Sequence, residues 1–260
     1  MILLYPLLWM MSASFKSDIE IFQGLKFFPE TFILENYSMG WAGLGGVSFS
    51  SFFANSFLIV GANVIGNVIS CSLAAYAFSK REFKLKRLWF VVMMGTMMLP
   101  IHVTLIPSYI MFNYVGWVNT FLPLTIPSFL AMNGFFIFMM TQFMRGIPKE
   151  IDEASVIDGC NSWTHYLKII MPLSLPAIIT TCIFTFIWTW NDFFSQMIYI
   201  TNTKLFTVGL ALRQFVDATG QSSWGALFAM NTLSLIPLFL IFVFLQKYLV
   251  EGITAGSVKG

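Results

Sequence analysis

The chain has 260 residues, of which 57% are hydrophobic and only 10% charged, against about 25% charged in a soluble domain. With 29 phenylalanines and a mean hydropathy of +0.78, this is a chain solvated by lipid, and an ordinary soluble domain is excluded. The net charge of +2 names no partner, because in membrane proteins the placement of charges matters more than their sum.

In chain order, MILLYPLLWMM opens the sequence. It is apolar but too short to cross a bilayer, which takes about 20 residues. Residues 1–15 are therefore expected to be the outer part of a first transmembrane helix that begins before this sequence. No basic flank or small-residue cleavage site marks a signal peptide. Residues 16–50 are polar enough to lie outside the membrane. A transmembrane domain over 51–250 follows, with five core helices expected near 51–79, 88–112, 121–144, 169–191 and 224–246. The turn Asn113 to Thr120 (NYVGWVNT) divides the second of these from the third. A loop over 145–172 precedes the fourth, and residues 251–260 form a tail. The expected fold is all-α integral membrane, with six transmembrane helices of which the first is incomplete.

Basic residues orient these spans. KREFKLKR at 80–87 holds five Lys or Arg against one Glu, which marks the cytoplasmic side. Alternation then places both termini and the 145–172 loop inside, and 16–50, 113–120 and 200–223 outside. Within the spans, Ala62, Gly66, Ser70 and Ala74 recur every fourth residue, a small-residue stripe that admits a closely packed helix. Pro100, Pro107, Pro123, Pro127, Pro176 and Pro237 interrupt spans or their ends. They suit a bundle bent around a path, or ordinary membrane-helix kinks.

Catalytic chemistry is not evident. His102 and His165 are far apart and belong to no metal-binding spacing; no GxSxG elbow and no GxxxxGK[ST] phosphate loop occurs. Cys71, Cys160 and Cys182 form no CxxC pair. No catalytic residue, metal or bound cofactor is expected, and the chain is expected to be no enzyme. Ionisable residues are nearly missing from the spans, which argues against a proton- or sodium-driven carrier. A transport protein of this kind takes its energy from a partner.

The polar interruption KEIDEASVIDGCNSWTHYLKIIMPLSLPA (Lys149 to Ala177) is the exception to the apolar pattern. Pro148 suits the first turn of a helix, and Glu150, Asp152 and Glu153 follow where the helix dipole favours carboxylates. Gly159 supplies a left-handed stop, and Ser162 is a candidate cap for a second short helix, WTHYLKII. On the residues alone this is a coupling element or an amphipathic loop resting on lipid headgroups.

The stretch resembles the E-A-A loop of ABC importer permeases, Glu-Ala-Ala, three residues, Gly, nine residues, Ile-x-Leu-Pro. Glu153, Ala154 and Ser155 stand for the first three, Gly159 follows, and Ile169, Met171 and Pro172 close the pattern. Ser155 for Ala and Met171 for Leu are departures. LYPLLWMMSASFKS, WTWNDFF and the ending GITAGSVKG resemble the carbohydrate-importer branch, of the maltose-permease smaller-subunit type. The resemblance implies a type I ABC importer permease in a bacterial inner membrane. It implies a second, homologous permease subunit, two cytoplasmic ABC ATPase subunits that bind ATP and Mg, and an extracytoplasmic sugar-binding protein; no nucleic acid is involved. Glu153, Ala154, Ser155, Asp158 and Gly159 are the implied ATPase-coupling residues, on a helix that docks into a groove of the ATPase. The loop from Thr201 to Ser223 is implied to reach toward the binding protein.

Trp188, Trp190, Asn191 and Asp192 are candidate substrate-path residues. Aromatic faces stack on sugar rings and amides or carboxylates pair with hydroxyls; an interfacial aromatic belt is the alternative. The cargo implied is a di- or oligosaccharide, and the alternatives are a polyol or glycerol-phosphate solute in the same architecture, or an integral-membrane enzyme.

Overall fold

The computed structural model describes residues 4–23, 26–217 and 223–254. Short helices α1 (Tyr5–Ala13), α2 (Asp18–Gln23) and α3 (Glu35–Ala42) lead into α4 (Phe49–Lys80). Then come α5 (Lys86–Thr96), α6 (Ile101–Tyr114), α7 (Leu122–Phe129), α8 (Gly134–Arg145), α9 (Lys149–Ile157) and α10 (Ser162–His165). A π-helical stretch, Tyr166–Ile170, leads to α11 (Met171–Leu173) and α12 (Leu175–Asn191), followed by α13 (Phe194–Tyr199), α14 (Val208–Asp217) and α15 (Trp224–Thr254). Among the described residues the only extended pairing is an isolated bridge between Leu44 and Val47. The all-α expectation holds, as a backbone in lipid requires unless it closes a barrel.

Stretches Phe49–Lys80, Leu122–Arg145 and Trp224–Gln246 are each long and apolar enough to cross a membrane, and Ser162–Leu173 with Leu175–Asn191 qualifies as one bent pair. Several expected spans differ in detail. The uncharged 88–112 stretch is two helices, because Pro100 holds an extended ψ of 132° as the cap of α6 and disfavours helical backbone at Leu99. The 121–144 stretch is interrupted after α7, where Ala131 adopts φ +53°. The span expected from Ile169 runs straight only from Leu175. It meets the preceding helical segment at 75°, since Pro176 has no N–H to bond back to residue 172 and its ring clashes there. The 200–223 loop contains α14, and the tail expected from 251 is helical through Thr254. Residues 255–260, most of the GITAGSVKG ending, lie outside the described residues, as do 1–3 at the start and 218–222 of the outer loop.

The chain forms two compact units. One comprises the chain up to Leu58, Asn119–Phe121 and Trp190–Leu240. Its interior holds the fully buried Phe49 and Phe52, edge to face at 5.6 Å. The Asn36 amide donates to the carbonyls of Ser14 and Lys16, both at 2.9 Å. Asn119, at φ +64°, accepts from the amides of Thr201 (3.2 Å) and Asn202 (2.9 Å) through Oδ1.

The other unit comprises Ile59–Val118, Leu122–Thr189 and the chain from Ile241. Cys71, Ala75 and Tyr76 of α4 pack with Phe136, Ile137, Met140 and Met144 of α8 and with Tyr166, Ile170 and Ala177. Of the small-residue stripe, Gly66 and Ser70 are buried within this unit, while Ala62 and Ala74 are half-buried. A methyl group added to Gly66 would lie 2.9 Å from the Phe129 ring and 3.0 Å from the Ser128 carbonyl carbon, a closeness only a glycine allows.

Candidate coupling site and substrate path

Helix α9 begins after Pro148, which is the extended cap (ψ 141°) rather than a first-turn residue, and carries Glu150 and Asp152 in its first turn. Its end is a Schellman closure. Gly159, at φ +75°, donates its amide to Val156 (3.1 Å), and the Cys160 amide donates to Ser155 (2.9 Å). The cap of α10 is Asn161 rather than Ser162. Its side chain accepts from the Thr164 amide at 2.9 Å, as either residue type does in that position.

The faces of α9 divide the candidate coupling residues. Glu153, Ala154, Asp158 and Gly159 are exposed, with Val156 (72%) and Ile157 (86%) beside them. No atom lies within 4 Å of where a Gly159 side chain would begin. Ser155 is buried and donates its hydroxyl to the Asp152 carbonyl at 2.6 Å. One turn from the half-buried Ile151, it belongs to the anchoring face. Ser155 is thus set apart from the four residues it was grouped with.

That anchoring face carries residues that sequence reasoning missed. The Lys80 ammonium, at the end of α4, donates to Asp152 Oδ2 at 2.8 Å and to the Ile147 carbonyl at 3.1 Å. The other Asp152 oxygen lies 3.1 Å from His165 Nε2, and His165 Nδ1 lies 2.9 Å from the Tyr76 hydroxyl. The Tyr76 hydroxyl also reaches the Ser162 carbonyl at 3.2 Å. His165, noted above only as belonging to no metal-binding spacing, is buried at 8% exposure.

The candidate path residues do not form one cluster. Trp188 and Trp190 are two residues apart on α12, which turns them to different sides. Trp188 stacks on Phe136 (5.1 Å, 24°) and stays 44% exposed. Trp190 is buried at 8% exposure against Phe57 (5.0 Å) and Phe53 (6.0 Å). Asn191 is exposed. Asp192, just beyond α12, accepts from the Ser195 amide at 3.1 Å, and burial pushes its carboxyl above the usual range against that hydrogen bond.

A second polar region lies inside the Ile59–Thr189 unit. Asn63 and Asn67 donate to Thr189 and Thr185, both at 3.3 Å, and Asn63 accepts from the Ser128 hydroxyl at 2.9 Å. Beside them is an open cavity of about 620 Å³, whose polar lining is Asn67, Thr96, Thr104, Ser108, Ser128 and Asn133. Among the described residues no charged side chain lines it. The one sequence signal was the pair of four-residue spacings, Asn63/Asn67 and Thr185/Thr189. Among the described residues, no group of His, Cys, Asp and Glu is arranged to hold a metal ion.

The probable ABC transporter permease protein YurM of Bacillus subtilis is 36% identical over 256 residues, covering 98% of this chain and 84% of its own. The trehalose/maltose transport system permease protein MalG of Thermococcus litoralis is 32% identical over 260 residues, covering 100% of this chain and 92% of its own. A chain in the crystal structure of a bacterial ABC transporter involved in the import of the acidic polysaccharide alginate superposes with a TM-score of 0.83. At 24% identity, covering 95% of this chain and 91% of that one, it shows a shared fold. The family described as binding-protein-dependent transport system inner membrane component matches residues 66–255, and to that family of multi-pass ABC transporter permeases this chain belongs.

Proposed function

We propose that this chain is one permease subunit of an ATP-driven importer for a neutral di- or oligosaccharide. It pairs with a second, homologous permease, and the two form the translocation path. ATP and Mg are bound by two ABC ATPase subunits, and an extracytoplasmic binding protein delivers the sugar. Glu153, Ala154, Asp158 and Gly159 meet the ATPase. The observation that carries this reading is the exposed face of α9, ending at a left-handed glycine with open space around it. Exposed Val156 and Ile157 on that face suit a protein groove better than water.

The proposed orientation has both termini and α9 cytoplasmic. The five basic residues of 80–87 support it. So does the pairing of Asn119 with residues 201 and 202, two segments expected on the same outer side. The saccharide reading draws on the trehalose/maltose relative and on a cavity where hydroxyls and amides are interspersed with apolar side chains such as Met97, Leu99, Met132 and Phe135, with no charge among the described residues. Such a lining matches sugar hydroxyls and offers no counter-ion to a phosphate or uronate. The test is ATP hydrolysis by the reconstituted complex, stimulated by its binding protein across a panel of ligands. Stimulation by a neutral oligosaccharide is expected. Stimulation by glycerol phosphate or a polyol alone would assign the other cargo.

A further inference from the structure

The polar cluster between α4, α9 and α10 is one hydrogen atom short whenever its histidine is neutral. Asp152 takes the Lys80 ammonium on Oδ2 at 2.8 Å and faces His165 Nε2 with Oδ1 at 3.1 Å. An ion-paired carboxylate only accepts, so Nε2 carries a hydrogen in either charge state of the ring. On the far side of the ring, Nδ1 lies 2.9 Å from the Tyr76 hydroxyl. That hydroxyl also lies 3.2 Å from the Ser162 carbonyl.

The Tyr76 hydroxyl has one hydrogen and two places for it. With a neutral imidazole, Nδ1 is an acceptor, and the burial of the ring leaves it dependent on Tyr76. Tyr76 then donates to Nδ1, and the Ser162 carbonyl keeps the bond from the Tyr166 amide without the one from α4. With an imidazolium, Nδ1–H donates to the Tyr76 oxygen, and the Tyr76 hydrogen is released to the Ser162 carbonyl. The contacts from Lys80 through Asp152, His165 and Tyr76 to Ser162 are hydrogen bonds all at once only when His165 is doubly protonated. Ser162 is exposed, so in the neutral state water takes up its carbonyl and the tie to α4 is lost.

Asp152 faces the ring from α9, and Tyr76 faces it from α4, with Lys80 acting through Asp152. The Arg81 guanidinium lies over the Tyr76 ring at 5.6 Å, and Tyr166 packs on that ring at 5.2 Å. Of these residue types only histidine ordinarily titrates close to neutral pH, at about 6.5.

We propose that His165 is a proton-sensing site, with Tyr76 as the positioning residue that relays its charge state to α10. The second proton pins the first residue of α10 to α4, and its loss releases that residue. The same proton turns the Asp152–His165 contact from a neutral-donor hydrogen bond into an ion pair, so α9 is also held more firmly on the acid side. The compartment whose pH is sensed rests on the proposed cytoplasmic placement of α9; the hydrogen-bond switch does not.

The test is amide hydrogen exchange, read by mass spectrometry on the assembled complex of permeases and ATPases from about pH 5.5 to about pH 8. The amides to follow are those of Thr164, His165 and Tyr166, which bond back to Asn161 and Ser162. After correction for intrinsic exchange at each pH, their protection is expected to fall by about fivefold toward the alkaline end, the worth of one hydrogen bond. Tyr76→Phe keeps the ring against Tyr166 and removes the relay, while His165→Gln keeps a polar side chain that cannot be charged. Each variant is expected to abolish the pH dependence. Wild-type protection that is equal at both ends of the range, or a pH dependence that survives in either variant, overturns the proposal. Impermeant labelling of a cysteine at Lys84 checks the placement separately, and reaction from outside would overturn that placement and leave the switch standing.

Discussion

The Ser70 hydroxyl donates to the Ser128 carbonyl over 2.7 Å, and one turn earlier Gly66 lies against the same Ser128. This contact closes the middle of α4 onto the end of α7, and it leaves no room for a methyl group. Gly66→Leu is expected to destabilise the permease by about 1–3 kcal/mol through overpacking. Gly61, on the same helix, has nothing within 4 Å of the position a methyl group would take. Gly61→Ala should therefore be neutral or gain up to about 1 kcal/mol of helix propensity. Thermal unfolding of the two variants in detergent separates them; equal behaviour would refute the close approach.

Orientation is checked by accessibility. A cysteine at Lys84, which is exposed, should react with an impermeant reagent only from the cytoplasmic side. One at Tyr114, 91% exposed, should react only from outside. Labelling of both from one side contradicts the alternation of spans.

Asn119 combines a left-handed backbone with two accepted hydrogen bonds. Asn119→Gly keeps the backbone and loses the bonds, whereas Asn119→Ala loses both. The alanine variant should be the less stable by about 1–2 kcal/mol, the cost of that conformation for a residue with a Cβ. Melting temperatures of the pair measure the difference, and an alanine variant as stable as the glycine variant would contradict the assignment.

Asp192 makes stability depend on pH. Its folded carboxyl titrates above the usual range because burial disfavours the charge. The folded state therefore holds its proton more tightly than the unfolded state. Stability falls as pH rises from the unfolded value, about 3.9, through the raised folded value. Asp192→Asn, which still accepts from the Ser195 amide, should stabilise the protein at neutral pH and make little difference below about pH 4. Denaturation of both proteins across that range checks the sign.

How far the sequence led depends on the kind of signal. The span from Phe49 to Lys80 was legible because a charge-free run between a polar segment and a basic cluster has one reading in lipid. The stop at Gly159 was legible because few residues accept its conformation. The breaks at Leu99, Ala131 and Ser174 were not, since membrane helices tolerate proline and composition does not say which one bends. The Lys80–Asp152–His165–Tyr76 network joins residues 72 and 89 positions apart across its links to α4, and no local spacing announces it. Trp188 and Trp190 were grouped by chemistry, although a two-residue spacing on a helix already separates their faces.

The most direct measurement of the central claim is what the outward face of α9 does to the ATPase. In a purified complex bearing Gly159→Leu or Glu153→Lys, the second permease should remain bound while the ATPase subunits co-purify poorly. Binding-protein-stimulated ATP hydrolysis and sugar uptake should be lost together. Both side chains face open space in this chain. Beyond the backbone cost of about 1–2 kcal/mol at Gly159, the defect must arise against a partner. Wild-type ATPase retention, with wild-type rates of stimulated hydrolysis and uptake in both variants, would contradict the account.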